Sequence, residues 1–253
     1  MLTCERRDKI LALIREKKSV SAKLIASEFY ISEATVRRDL NTLEQEGLIR
    51  RTHGGALLAE GRDKDMPLSF RENDNIREKR DIAEKALTLI HDDDVIMMDS
   101  STTALILARR LHIFRGLTVI TNGIRTANAL SAHHGLKVIC TGGYIRENSF
   151  SMVGQHACES IARYNADLFL FSCCGFSTTQ GITESTDEEA LIKQKMFACS
   201  AKRVLLCDST KFDKVFLSKT CRADELDTIV FNAPPPPAIE KDLREAKVGI
   251  VVK

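Results

Sequence analysis

Residues 32–40 read Ser32-Glu33-Ala34-Thr35-Val36-Arg37-Arg38-Asp39-Leu40, and this stretch decides what the first part of the chain is. Ser32 is a helix cap. Val36, Leu40 and Leu43 then recur on one face of a helix running to about Glu46, where Gly47 stops it. Thr35, Arg37 and Arg38 project away from that face or along its edges. Upstream, Ser21 caps a second helix, 22–29, with Leu24, Ile25 and Phe29 on one face, and Tyr30-Ile31 makes a tight turn. Further back, Ile10, Leu11, Leu13 and Ile14 recur at helical spacing between Thr3, a candidate cap, and Lys17-Lys18. Downstream, 48–51 and 56–58 flank Thr52-His53-Gly54-Gly55, the tip of a β-hairpin.

Two short helices across a tight turn, the second rich in Thr and Arg, predict a helix-turn-helix, and the hairpin adds a wing. The second helix enters the major groove while its far side packs on the first two. An arginine there bridges two acceptors on guanine or grips phosphate. Arg37 and Arg38 are adjacent and point differently, so one is expected to read base edges and the other to hold the backbone. Arg50, Arg51 and His53 make the wing basic, and Gly54-Gly55 at the tip permit close approach to a phosphate or groove wall. Ser32, Thr35, Arg37, Arg38, Arg51, His53 and Gly54 are the expected DNA-binding residues. Residues 1–55 carry 11 Lys/Arg against 8 Asp/Glu, so +3, and the rest carries 26 against 27, so −1. The positive excess sits where nucleic-acid contact needs it.

Residues 59–75 are polar and read as a linker, with a short strand near Leu68-Ser69-Phe70. Beyond it the texture changes. Apolar runs at 95–98, 117–121, 136–141, 168–171, 204–207, 228–231 and 248–252 alternate with amphipathic helices at 77–90, 102–112, 124–133, 154–163 and 186–200. Another helix follows the four prolines 234–237. Continuous apolar strands alternating with helices predict a mostly parallel sheet covered on both faces. The fold class is therefore α/β behind a winged helix-turn-helix: 1–58 for DNA binding, 59–75 as linker and 76–253 as the α/β domain.

The chain of 253 residues is 43% hydrophobic and 28% charged, which fits a folded globular protein of one or two domains. No apolar run, Ala104 to Ala108 included, approaches the roughly 18 residues of a membrane span. The charged start offers no secretory leader, so a cytoplasmic location is expected. The 8 cysteines contain no C-x-x-C pair and mostly lie in apolar runs. They read as reduced, buried thiols, and no metal site is expected.

Ligands of open parallel sheets sit at the carboxyl ends of the strands. Several polar motifs fall there. Ser100, Ser101, Thr102 and Thr103 open a helix and offer N–H and hydroxyl donors to a phosphate. Asp99 repels a phosphate, and it is expected to bind a sugar hydroxyl or to orient the loop. Asn122, next to Thr121, both donates and accepts. Gly142 and Gly143 allow close backbone approach, and Arg146 can clamp an anion. Lys211, behind Asp208, supplies a point charge. Glu184, Glu188 and Lys193 read as solvated helix charges and are left out.

Three blocks, Arg6-Arg7-x-x-Ile10, Ser32-x-x-Thr35-Val36-Arg37-Arg38-Asp39-Leu40 and Arg51-Thr52-His53-Gly54-Gly55-Ala56, resemble the DeoR family of bacterial transcriptional regulators. The resemblance continues through Asp99-Ser100-Ser101-Thr102-Thr103, Thr121-Asn122, Gly142-Gly143 with Arg146, and Asp208-Ser209-Thr210-Lys211. It implies Thr35, Arg37 and Arg38 in the major groove and the Arg51/His53 wing on backbone or minor groove. It also implies a sugar-phosphate sensor domain related in fold to ribose-phosphate isomerase, glucosamine-phosphate deaminase and CoA transferases. The chain departs from the family at Ser101, where Gly is usual, and at Asn232, where an acid is usual.

The resulting expectation is a DNA-binding repressor of carbohydrate-metabolism genes, controlled by a phosphorylated sugar or sugar derivative. It needs no cofactor. Its partners are double-stranded operator DNA, the effector and further copies of itself as a homodimer or homotetramer, with no membrane. The alternative is a sugar-phosphate isomerase-like enzyme with a DNA-binding appendage. Asp99 and Lys211 are available for that, but they form no base–acid pair with an activating partner. A thiol switch at Cys173-Cys174 is a third reading.

Overall fold

The computed structural model describes residues 3–45, 48–58, 68–147 and 149–252. The expected stop at Gly47 and most of the expected linker, 59–67, lie outside the described residues. The chain forms two compact units, Met1–Phe70 and Arg71–Lys253.

The first unit runs α1 (Thr3–Lys17), β1 (Ser19–Ser21), α2 (Ala22–Phe29), α3 (Glu33–Gln45), β2 (Ile49–Thr52) and β3 (Gly55–Leu58). Ser21 caps α2 by accepting from the Leu24 N–H at 3.2 Å, and Ser32 caps α3 by accepting from the Thr35 N–H at 3.2 Å. Ile10, Leu11, Ile14, Ile25, Val36, Leu40, Leu43 and Ile49 close one small core. Leu24 departs from expectation and is exposed, because α2 turns only Ala22 and Ile25 fully inward. β2 and β3 pair antiparallel around the His53-Gly54 tip, and β1 adds itself to β3. Sequence reading passed over β1, which is 3 residues long and offers no period to detect.

A helix, α4 (Leu68–Asn73), stands where a short strand was expected. Ser69, Arg71 and Glu72 suit a helix start better than a strand, and three residues carry too little alternation to decide. The second unit continues α5 (Ile76–Ala86), β4 (Val95–Met98), α6 (Thr102–Ala108), β5 (Thr118–Thr121), α7 (Ile124–Ser131), β6 (Lys137–Cys140), β7 (Tyr144–Ile145), β8 (Met152–Val153), α8 (Gln155–Ile161) and β9 (Ala166–Phe171). It closes with β10 (Gly175–Ser177), β11 (Gly181–Glu184), α9 (Asp187–Ala198), β12 (Ser200–Cys207), β13 (Ser218–Cys221), β14 (Thr228–Phe231), α10 (Pro237–Glu245) and β15 (Gly249–Val251).

Seven strands form one parallel sheet in the order β15-β14-β12-β9-β4-β5-β6. Alternate side chains enter opposite cores, as the pleat requires. Phe169 and Phe171 join Met97, Leu205 and Phe231 under α8, α9 and α10. Leu168 and Leu170 join Ile96, Met98 and Leu206 under α5, α6 and α7. Helices thus cover both faces, and this buries the strands as continuous apolar runs. Because all seven strands are parallel, their carboxyl ends lie along one edge, and that edge positions the site. A small antiparallel sheet, β10-β11-β13, and the β7–β8 hairpin were not expected from sequence.

Candidate functional site

Two polar surfaces stand out. On the first unit, α3 presents Ser32, Ala34, Arg37 and Arg38 to solvent, with Thr35 half-buried. Arg37 reaches back to Glu33 at 3.5 Å, a loose exposed pair worth little. Arg38 makes no ion pair among the described residues, so its charge is available. Asp39 is buried on the opposite face and accepts two bonds from the Arg6 guanidinium, at 2.6 and 3.1 Å. That fork ties α1 to α3 and sets the angle at which α3 is presented.

The wing divides differently from expectation. The Arg51 guanidinium turns back to Asn41 of α3, and the Arg51 N–H donates to Glu44 at 2.8 Å. Arg50, Thr52, His53 and Gly54 are the exposed residues of the hairpin. The two glycines have different tasks. A Cβ on Gly54 would meet nothing within 4 Å, whereas one on Gly55 would lie 2.0 Å from the Val20 carbonyl oxygen. Gly54 keeps the tip open, and Gly55 admits β1.

On the second unit, the carboxyl edge of the sheet gathers the expected motifs. Asp99 is fully buried after β4. One of its oxygens accepts from the Ser101 N–H at 3.2 Å and the Ser101 hydroxyl at 2.6 Å. The other accepts from the Ser172 N–H at 3.1 Å and lies 3.0 Å from Lys193 Nζ. Asp99 therefore orients the loop. Ser101, the departure from Gly, spends its hydroxyl on Asp99 and on capping α6 at the Ala104 N–H, 3.2 Å. The N–H groups of Thr102 and Thr103 remain in the first turn, where no helical partner exists.

Lys193 and Glu184 overturn their reading as solvated charges, while Glu188 is half-exposed. Lys193 Nζ is buried 2.6 Å from Glu184 and donates to the Ser172 carbonyl at 2.7 Å. Burial opposes its charge, but Glu184, Asp99 and Glu189 together hold its ammonium above the ordinary lysine range. Burial pushes the Glu184 carboxyl up, against the pull of Lys193. Glu189, not singled out in the sequence, is a buried hub. It pairs with Arg146 at 3.0 Å and accepts from Ser151 at 2.5 Å and Ser100 at 3.4 Å. Burial works against its charge as well, yet Lys193, Ser151 and Arg146 hold its carboxyl below the usual range.

Asn122 is fully buried after β5. Its amide N–H donates to the Met152 carbonyl at 3.3 Å, which leaves Oδ1 facing no partner. Thr121 spends its hydroxyl accepting from the Gly123 N–H at 3.0 Å. Gly142 and Gly143 both have positive φ, 70° and 108°. A Cβ on Gly143 would meet the Val153 carbonyl at 2.4 Å, so close approach there serves the β7–β8 hairpin.

Asp208, behind β12, accepts from Thr210 with Oδ1, while its buried Oδ2 has no partner. Asn232 fixes this loop by accepting from the Ser209 N–H at 2.9 Å. Lys211 is half-buried and makes no ion pair among the described residues. Burial works against its charge, but Asp208 and nearby thiols raise it. Sequence reading missed Lys79, which is 5% exposed and donates to the Arg71 carbonyl at 2.5 Å. Burial, then the charge of Lys211, lowers Lys79 to about 8. With about 4.8 Å per strand, the Asp208 and Asn122 stations lie roughly 14 Å apart along the edge.

Cys173 and Cys174 lie near this edge, just behind β9. Cys174 donates to Glu184 at 3.3 Å, and burial first, then Glu184, pushes it up to about 12. A bond with Cys207, then burial, raises Cys173. Thiolate character, which redox sensing needs, is suppressed at both. No group of three His, Cys, Asp or Glu suited to a metal ion occurs among the described residues, and no described helix is long and apolar enough to cross a membrane.

Comparison with known proteins covers both units. Residues 6–62 match the model of a DeoR-like helix-turn-helix domain, and residues 74–233 match that of the DeoR C terminal sensor domain. The HTH-type transcriptional regulator GolR of Listeria innocua serovar 6a is 34% identical over 253 residues, covering 100% of this chain and 99% of that protein. The HTH-type transcriptional regulator YulB of Bacillus subtilis is 33% identical over 250 residues, covering 99% and 96%. The L-fucose operon activator of Haemophilus influenzae is 33% identical over 236 residues, covering 93% and 94%.

Proposed function

The chain belongs to the DeoR family of DNA-binding transcriptional regulators, and from that premise we propose that it represses carbohydrate-metabolism genes under control of a phosphorylated sugar. The observation that carries the ligand half is the set of unpartnered polar groups at the sheet's carboxyl edge. Among the described residues, Asn122 Oδ1 and Asp208 Oδ2 are buried acceptors without donors, and Lys211 makes no ion pair. Buried polar atoms without partners are costly, so a site that keeps them is built for a ligand that supplies them. Hydroxyls of a polyol satisfy the two acceptors, and a phosphate suits Lys211, Lys79 and the N–H and hydroxyl groups of Ser100 to Thr103. Gly142 and Arg146 border this site, and Asp99, Ser101, Thr121 and Gly143 shape it from behind.

On the DNA side, Ser32, Thr35, Arg37 and Arg38 face the major groove, and His53 and Gly54 at the wing tip touch the backbone or minor groove. Arg51 positions the wing against α3. A homodimer or homotetramer presents paired reading helices to half-sites about 34–36 Å apart or at multiples. The effector acts by binding the DNA-competent and incompetent states unequally.

Catalysis is not part of this reading. Asp99, Glu184 and Glu189 are all committed to Lys193 or Arg146, and Asp208, whose Oδ2 has no partner among the described residues, is assigned to an effector hydroxyl rather than to proton abstraction. A panel of sugar phosphates tests the proposal by thermal shift and by operator binding. A ligand at about 100 times its dissociation constant adds about 2.7 kcal/mol. Operator affinity that no member of the panel moves would remove the sensing half. Steady product formation from an aldose or ketose phosphate would overturn the non-enzymatic reading.

A further inference from the structure

Tyr30 stands in the turn between α2 and α3, and it is 95% exposed. Its backbone is left-handed, at φ 54° and ψ 46°, a region that bulky residues rarely enter. The conformation is fixed rather than loose. The Tyr30 N–H closes α2 on the Ala26 carbonyl, and the Ile31 N–H bonds the same oxygen at 3.0 Å. Glycine fills such a helix end without strain. Here a tyrosine bears the strain, and nearly all of its side chain lies in water. Its burial therefore contributes almost nothing to the fold that would compensate.

The position of Tyr30 supplies the missing return. It precedes Ser32, whose hydroxyl caps α3, by two residues. It therefore lies beside the N-terminal end of α3, the end that reaches base edges when a helix of this kind enters the major groove. Ser32 and Ala34 on the same end are exposed too. Phosphate oxygens line the rim of that groove, and tyrosine is one of the side chains that donate to them.

We propose that Tyr30 is a DNA contact, its phenolic hydroxyl donating to a backbone phosphate at the rim of the groove that α3 enters. The contact is neutral, so it adds affinity without displacing a counterion. It is also indifferent to sequence, since a phosphate carries no base identity.

The test uses the full chain and a mixed-sequence duplex of about 30 base pairs, with binding read by fluorescence anisotropy over a salt series. Tyr30→Phe removes only the hydroxyl. It is expected to weaken binding about threefold to tenfold while melting temperature and salt slope stay at the wild-type values. Tyr30→Gly relieves the left-handed strain and is expected to melt higher yet bind more weakly. Wild-type affinity in Tyr30→Phe overturns the proposal, as does a Tyr30→Gly protein that melts higher and binds as well. A lowered salt slope in Tyr30→Phe also overturns it, because the loss would then belong to a displaced charge.

Discussion

At the scale of single residues, chemistry and burial often disagree with what a sequence suggests. Glu184 and Lys193 look like surface charges because nothing in their spacing marks them. The face of α9 that turns inward carries Glu189, Ala190, Ile192, Lys193 and Met196, so two of its five residues are charged and the usual amphipathic signal vanishes. Asp99 and Asn122 drew notice because each directly follows an apolar strand run, and Lys211 because it lies in the loop behind one. Lys79 was hidden in a helix. Its lowered proton affinity makes a signed prediction. From about 8 in the folded chain to the ordinary 10.5, the unfolded chain binds more protons, so stability rises with pH across that window. The penalty is fully present below the folded value and is gone above the unfolded one. Lys79→Met is expected to be more stable than wild type near neutral pH, and its urea midpoint is expected to climb less between those two limits. A wild-type slope in the variant would show that another group carries the titration. A phosphate ester seated beside Lys79 is expected to draw a proton onto it near pH 8, read by calorimetry in two buffers of different ionisation enthalpy. Asp39 offers a second test. Removing one partner of a buried ion pair strands the other, at about 3–5 kcal/mol in well-buried cases. Arg6 retains some exposure, so Asp39→Ala is expected to cost about 2–3 kcal/mol in a denaturant melt.

Among the elements, most helices and the strands of the parallel sheet were legible, and most of the short antiparallel strands were not. The helices of the first unit and the seven parallel strands each showed a period or an unbroken apolar run in sequence. β1, β7, β8 and β10 span two or three residues, too few for a period to show, and β1 also pairs with a strand that lies beyond two helices. Their existence is nevertheless written in single glycines. Gly55 lets β3 lie against β1, and Gly143 lets the chain pass beneath Val153. Gly55→Ala is expected to lower the melting temperature, at about 1–3 kcal/mol, because the obstructing atom is a backbone oxygen that cannot swing aside. Gly54→Ala, with open space around it, is the matched control and is expected to stay within about 0.5 kcal/mol. Equal losses for the two would mean that the wing strand tolerates displacement. The wing also separates two arginines. Arg50→Ala is expected to reduce the slope of log affinity against log salt by about one unit on any duplex. Arg51→Ala, whose guanidinium is spent on Asn41, is expected to lower affinity through wing position while leaving the slope nearly unchanged.

For the whole molecule, the helix-turn-helix match and the sensor-domain match fall for the most part in two different compact units. The division was legible because the two halves differ in texture: short capped helices with a basic hairpin, then buried strands alternating with helices. What sequence does not carry is the state of the ligand edge, since orphaned acceptors exist only once the strands are aligned. The division has a thermodynamic consequence that holds whatever path joins the units. If a sugar phosphate weakens operator binding by some factor, the operator must weaken sugar-phosphate binding by the same factor, because both describe one coupling free energy. Typical couplings of about 1–3 kcal/mol correspond to about 5-fold to 150-fold. Anisotropy on a labelled operator fragment, with and without saturating ligand, gives one factor. Calorimetry of the ligand on free and operator-bound protein gives the other. Equal factors are expected in the wild-type chain. Asn122→Ala removes one orphaned acceptor and is expected to weaken the ligand while leaving ligand-free operator affinity intact. If operator affinity falls in Asn122→Ala without ligand, the edge shapes the DNA-competent state itself, and the assignment of Asn122 to the ligand fails.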